Sequence, residues 1–287
     1  FDGIFSAHGM VLRPREDVID KSFFPLFISS DYFLDAAIKI SVGSLSPTIN
    51  WRDLKTLEFE LPDLATQRKL AETLWSINDT METYKKLIAA TDELVKSQFM
   101  ELFGDPVTNT QGREVRPFKD FMLDIRYGTS QPPTFNELGE FKFIRATNIK
   151  AGRITENGML RISADEAAKI EKCRLNGNEI IIVRSGANTG DTCVVTDEYR
   201  DQYAGYDIIV TLNLEIANPV FFNELMNTHY MQAIIKPLTV RAAQPHINSE
   251  QVQNLPMLVV PLQEQEQFAA FVRQSDKSKF ELEKALS

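Results

Sequence analysis

Three polar stretches of this chain carry the residue types that read nucleic acid. Arg126-Tyr-Gly-Thr-Ser-Gln-Pro-Pro133 joins a cation, an aromatic ring and an amide in one turn-rich run, with Thr129, Ser130 and Gln131 at its centre. Arg145-Ala-Thr-Asn-Ile-Lys-Ala-Gly-Arg153 follows a strand-like run and offers Arg145, Asn148, Lys150 and Arg153, and Arg184-Ser-Gly-Ala-Asn-Thr-Gly190 follows another with Arg184 and Ser185. Arginine forks onto guanine, asparagine and glutamine pair with adenine, and hydroxyls, lysines and loop amides hold phosphates. Gly, Asn, Ser and Thr are also what any turn requires, so composition by itself leaves groove reading and plain turn chemistry both open.

Enzyme chemistry finds less support. Asn218-Pro-Val-Phe221 is close to the Asn-Pro-Pro-Phe loop of amino-methyltransferases, but it lacks the second proline and reads as a helix N-terminus, Asn218 as cap and Pro219 at the first position. Ser185-Gly-Ala-Asn-Thr-Gly-Asp-Thr192 contains glycines but no lysine before its threonine, so it cannot put a cation on a nucleotide β/γ-phosphate. No Gly-x-Gly-x-x-Gly follows a strand. The three histidines and two cysteines are scattered without ligand spacing, which argues against a metal centre. No catalytic residue is expected.

Charge sets a limit on how DNA could be held. The chain carries 31 Lys and Arg against 40 Asp and Glu, a net −9, and residues 106–250 carry 16 against 18, a net −2. A protein that coats nucleic acid by charge alone is thereby excluded, and binding would be local and helped by a partner. No apolar run approaches the ~18 residues of a membrane span. The start at Phe1 has no signal-peptide pattern, which reads as a fragment of a cytoplasmic protein.

The elements that would position these stretches come from an internal duplication. A shift of 198 residues lays 41–50 on 239–248 without a gap, and the register continues through Leu54 on Val252, Leu57 on Leu255, Gln67 on Gln265, Leu70 on Phe268 and Leu74 on Val272. Upstream, Phe23-Phe24 falls on Phe221-Phe222 and Tyr32 on Tyr230. So long a period means a duplicated domain rather than a solenoid, with pseudo-two-fold symmetry expected.

Residues 64–103 contain no Gly or Pro and predict one helix of roughly 60 Å. Leu70, Leu74, Ile77, Met81, Tyr84, Ile88, Thr91, Val95, Gln98 and Leu102 follow a 4,3,4,3 spacing, a coiled-coil seam, and Phe268, Val272 and Leu282 continue it in the second copy. Antiparallel pairing of the two helices is the expected arrangement, with an ordinary core-facing helix as the other reading. Between them, the β-branched runs at 141–144, 179–183, 192–195 and 207–212 predict strands, interrupted by helices over 163–172, which opens on a Ser163/Glu166 capping box, and 219–235. The fold class is α+β, a mixed α/β globular domain joined to long antiparallel coiled-coil helices. Its predicted segments are 1–61, the last part of a first domain; 62–104, a long spacer helix; 105–261, a complete second domain; and 262–287, a second helix shorter than the first.

Leu61-Pro-Asp-Leu-Ala-Thr-Gln67 and Gln98-Phe-Met-Glu-Leu-Phe-Gly-Asp-Pro106, at the head and foot of the long helix, resemble the central conserved region of the specificity (S) subunits of type I restriction-modification systems. So does Ala243-Gln-Pro-His-Ile-Asn248 leading into Val260-Pro-Leu-Gln-Glu-Gln265, while Phe143–Lys150, Gly152–Ile154 and Ile182–Ala187 resemble stretches of that family's target-recognition domains. The resemblance implies a non-catalytic subunit. Two recognition domains would each read half of a bipartite double-stranded DNA site, held apart by the helices. Methyltransferase (M) subunits would dock on it and methylate adenine with S-adenosylmethionine, and restriction (R) subunits would use ATP and Mg, so no cofactor is expected on this chain itself. Arg145, Asn148, Lys150, Arg153 and Arg184 are the first candidates for DNA contact, with Thr129, Ser130, Gln131, Ser185 and Gln244 behind them. Two other readings are a specificity subunit of another restriction class and a coiled-coil module that binds protein instead of DNA.

Overall fold

A computed structural model of the chain describes residues 9–43, 47–239 and 245–286, and divides it into two compact units, 1–87 and 88–285. In the first unit, helices α1 (Phe24–Ile28), α2 (Asp31–Lys39) and α3 (Trp51–Leu54) precede the opening of α4 (Leu64–Phe103). Ser30 caps α2 by accepting from the Phe33 amide at 3.3 Å, and Phe27, Phe33 and Phe59 meet with ring centroids 5.1–5.5 Å apart. Asp63 caps α4 through the amides of Ala65 and Thr66.

The second unit is built on two apolar strands that read as continuous hydrophobic runs because both of their faces are covered. A four-stranded antiparallel sheet runs in the order β2, β10, β7, β8. Its strands are β2 (Met122–Tyr127), β7 (Glu179–Ile182), β8 (Thr192–Val194) and β10 (Ile208–Leu212), reached after β1 (Val115–Pro117). Between these come β3 (Phe141–Ile144), β4 (Ile149–Lys150), β5 (Arg153–Ile154), β6 (Leu160–Ile162) and β9 (Tyr203–Ala204). β3 lies between antiparallel β6 and parallel β9, β4 pairs with β5, and β1 pairs with β11 (Pro256–Leu258).

Residues alternate across the central strands. Ile180, Ile182, Ile208 and Val210 enter the core that contains Phe221, Phe222 and Leu225, whereas Ile181, Val183 and Ile209 enter a second core with Ile144, Ile149 and Cys193. Helix α5 (Ala164–Lys169) is capped by Ser163, whose hydroxyl accepts from the Glu166 amide at 3.4 Å. Helix α6 (Pro219–Asn227) is capped by Asn218. The predicted helix over 219–235 breaks at Thr228, where the backbone turns extended and the hydroxyl bonds back to the Leu225 carbonyl. A π-turn (Met231–Ile235) and α7 (Lys236–Thr239) follow, then α8 (Ser249–Gln253) and α9 (Leu262–Leu286).

Within the second unit, the end of α4 and α9 run antiparallel. Phe99 and Phe103 lie against Phe268, each at 5.5 Å between ring centroids, while Asp92, about two turns before Phe99, pairs with Lys279. Phe268, Val272, Ser275 and Lys279 are all buried, and Leu282 is half-buried. On α4 the packed face differs from the predicted one. Val95 is buried, but the face continues through Phe99 and Phe103 in place of Gln98 and Leu102, because steps of four residues keep two large rings on one stripe of a 3.6-residue helix. Earlier on α4, Gln67 and Ala71 are buried, Tyr84 and Ile88 are half-buried, and Leu70, Leu74, Ile77 and Met81 are exposed where the sequence predicts a seam.

Candidate nucleic-acid interface

Strand register brings the polar stretches together. β2 and β7 both pair antiparallel with β10, and their last residues, Tyr127 and Ile182, lie opposite its first, Ile208. Two residues beyond those ends, Arg184 and Tyr206 face each other at the same sheet edge. The Gly205 amide donates to the Ile144 carbonyl at 2.7 Å, which brings Arg145 to that edge as well. A close backbone approach seals the floor: a Cβ on Gly128 would lie 1.6 Å from the Gly205 carbonyl oxygen, so only glycine fits there. The result is a cleft of about 330 Å³, lined among others by Thr129, Ser130, Arg145, Ser185, Tyr206 and Asp207.

Beside this cleft, against its lining residues Tyr206 and Asp207, Arg184 is the most constrained side chain. Its guanidinium carbon lies 4.5 Å from the Tyr127 ring centroid and 4.2 Å from that of Tyr206, so aromatic rings cover it at cation–π distance. Its amide donates to Asp207 Oδ1 at 3.2 Å, its carbonyl accepts from the Ile247 amide at 2.9 Å, and its Nη2 lies 3.3 Å from His246 Nε2. Arg184 Nε is buried with no hydrogen-bond partner among the described residues. Asp207 is itself buried, and that burial pushes its carboxyl up to about 6 despite the bond from Arg184.

The family of type I restriction modification DNA specificity domains matches residues 114–287, from the start of the sheet scaffold through α9. The chain belongs to this family. It is 20% identical over 294 residues to the EcoKI specificity subunit of the type I restriction enzyme of Escherichia coli K12, an alignment that takes in 96% of this chain and 62% of that one. It thus spans less than two thirds of that relative's length. Its fold is similar to the type I restriction-modification S subunit of M. genitalium, with a TM-score of 0.63 at 15% identity over 94% of this chain and 70% of the other. It is also similar to a chain solved in work on complex assembly and conformational transition of the type I R-M system, with a TM-score of 0.50 at 17% identity over 96% and 71%.

The other predicted contact residues of this specificity domain fall into distinct places. Ser130, Gln131 and Lys150 are exposed, Lys150 on the β4–β5 turn where Ala151 and Gly152 both have positive φ. Arg145 donates from Nη2 to the Gly158 carbonyl at 2.9 Å, and its Nε has no partner among the described residues. Thr129 is buried and folds its own turn, its hydroxyl donating to the Gln131 carbonyl and accepting from the Gln131 amide. Gln244 lies outside the described residues.

Two predicted DNA contacts point elsewhere. Asn148 is fully buried: its Oδ1 accepts from the Arg145 amide at 3.1 Å, and its Nδ2 donates to the carbonyls of Thr155 and Asn157. An amide so committed shapes the Arg145 loop and has no donor or acceptor pair left for a base. Arg153 pairs with Asp276 of α9, in a small cavity shared with Asp92 and Glu224. There burial, and then the charge of Asp276, push the Glu224 carboxyl up to about 7, and Arg153 offsets that repulsion instead of facing outward. Arg126, from the first polar stretch, is likewise internal, 2.7 Å from buried Glu179.

The sequence reading missed Tyr206, Asp207 and His246. Only register could have revealed the first two: once 207–212 is paired antiparallel with 179–183, Asp207 falls opposite Val183, and Tyr206, just before one strand, falls opposite Arg184, just after the other. Among the described residues, no group of His, Cys, Asp and Glu is arranged to hold a metal, and no helix is long and apolar enough to cross a membrane.

Proposed function

We propose that this chain is a DNA-reading specificity subunit of a type I restriction-modification complex, and that residues 105–261 read one half of a bipartite double-stranded site. The observation that carries this reading is the cleft at the edge of the β2–β10–β7 sheet, lined by Arg145 and Ser185 from two separate stretches with Arg184 beside it, and flanked by exposed Ser130, Gln131 and Lys150. The domain has no catalytic residue of its own in this reading. Methyltransferase subunits supply S-adenosylmethionine chemistry, and restriction subunits supply the ATP- and Mg-dependent steps. The exposed Leu70, Leu74, Ile77 and Met81 of α4 give a methyltransferase subunit an apolar stripe to cover. With a net charge of −9, partner contacts are needed to hold DNA.

The test is joint replacement of Arg145, Lys150 and Arg184 by alanine, with duplex DNA affinity measured across a salt series and the fold followed by circular dichroism. The expected result is a loss of about 100-fold or more in affinity and a shallower salt dependence, with the melting curve kept. Unchanged affinity in a folded variant would remove this cleft from the DNA interface.

A further inference from the structure

The cations of the recognition domain are not equivalent. Arg126 is spent on Glu179 and on the carbonyls of Lys172 and Arg174, and Arg153 on Asp276. Lys150 is an exposed ammonium on a turn, suited to a phosphate approached from any side. Arg145 is tied to Gly158 through one end of its fork. Arg184 alone among them is held at cation–π distance from two aromatic rings, on a loop pinned by Asp207, Ile247 and the bridge between Ser185 and His246.

That arrangement restricts what Arg184 can bind. With Tyr127 and Tyr206 both at cation–π distance from the guanidinium, a ligand that leaves the rings in place meets it best at its rim, in its own plane. Nη2 lies 3.3 Å from His246 Nε2 and Nε is buried, so the Nη1–Nη2 end is what a ligand meets: two parallel donors and no acceptor. In the major groove only guanine presents two adjacent in-plane acceptors, N7 and O6. Adenine pairs an acceptor with a donor, thymine pairs one with a methyl group, and cytosine presents a donor. A phosphate needs no such coplanarity.

We infer that Arg184 reads a guanine in the half-site, and that Tyr127 and Tyr206 are positioning residues that hold its fork in the plane of the base. The inference rests on the DNA-recognition reading above and adds to it one fixed G·C position. Tyr206, 46% exposed, forms the outer wall, so its ring, not its hydroxyl, is what matters.

The experiment selects bound duplexes from a randomised DNA pool, using the full chain assembled with the methyltransferase subunit of its own system. The native chain is expected to enrich a motif containing an invariant G·C pair. Arg184→Lys keeps the charge but not the fork, and should lose about 5- to 150-fold of discrimination at that one position while the others stay fixed. Tyr206→Ala should relax the same position, and Tyr206→Phe should leave the motif intact. Replacing the guanine by 7-deazaguanine removes the N7 acceptor without touching the protein. It should weaken the native complex and cost Arg184→Lys little further. A motif unchanged by Arg184→Lys, uniform weakening at all positions, or a native complex indifferent to 7-deazaguanine at every guanine would overturn the assignment while leaving DNA recognition in place. A native chain that enriches no motif at all would remove the DNA-recognition reading itself, and the assignment with it.

Discussion

Phe99→Ala is expected to destabilise the second unit by about 3–5 kcal/mol, the loss seen when a large aromatic is deleted from a closed core. Phe99 is fully buried, and its ring lies 5.1 Å from Phe103 and 5.5 Å from both Phe221 and Phe268. It therefore joins three elements at once: α4, α9 and the α6 helix that backs the four-stranded sheet. The surrounding rings are rigid and interlocked edge to face, so the cavity cannot close around an alanine. Leu102→Ala, three residues further along the same helix and 44% exposed, should cost under about 1 kcal/mol. Urea unfolding of both variants checks the pair. Equal losses would mean that the packed face of α4 is the predicted 4,3 seam and not the Val95–Phe99–Phe103 stripe.

Gln265→Ala is expected to cost about 1–3 kcal/mol, because one amide satisfies three backbone groups, of which the Val260 carbonyl is buried and would be left unpaired. Gln265 Nε2 donates to the carbonyls of Val260 at 2.8 Å and Ile216 at 3.0 Å, and its Oε1 accepts from the Asn218 amide at 2.8 Å. Gln265→Glu should be no better, since a carboxylate cannot donate to two carbonyls. The first unit contains the same device 198 residues earlier. Gln67 Nε2 donates to the carbonyls of Pro62 and Val18, and its Oε1 accepts from the Asp20 amide. Gln67→Ala should cost less, because Pro62 and Val18 are exposed and water can replace the lost donor. Thermal unfolding of the two variants measures the difference. A neutral Gln265→Ala would show that the repeated glutamine does not clamp the start of its helix.

The duplicated clamp shows what sequence could and could not deliver. Gln67 and Gln265 align by register alone, and the bounds predicted for the long helix, 64–103, are those of α4, because an uninterrupted run of helix formers closed by Gly104 and Pro106 is a local signal. Ser163 and Asn218 were likewise legible as caps, and the four β-branched runs as strands. The predicted helix over 219–235 failed at Thr228, whose side chain competes with the helix for the Leu225 carbonyl. The candidate site was legible as a set of loops but not as an arrangement. Arg145 lines the cleft and Arg184 stands beside it, yet nothing local distinguishes the arginine held over Tyr206 from Arg153 paired across the unit with Asp276. Asn148 looked like a base reader for the same reason that it is not one: its amide pairs with whatever lies nearest, and that is its own loop.

The central claim, that this chain directs DNA modification by sequence, is tested most directly in a host free of adenine methylation. The chain is expressed there with the methyltransferase subunit of its system, and modified bases are mapped across the genome. Methyladenine confined to one defined motif, and absent when the chain is left out, is the predicted result. Methylation that is the same with and without the chain, or that follows no sequence, would contradict it.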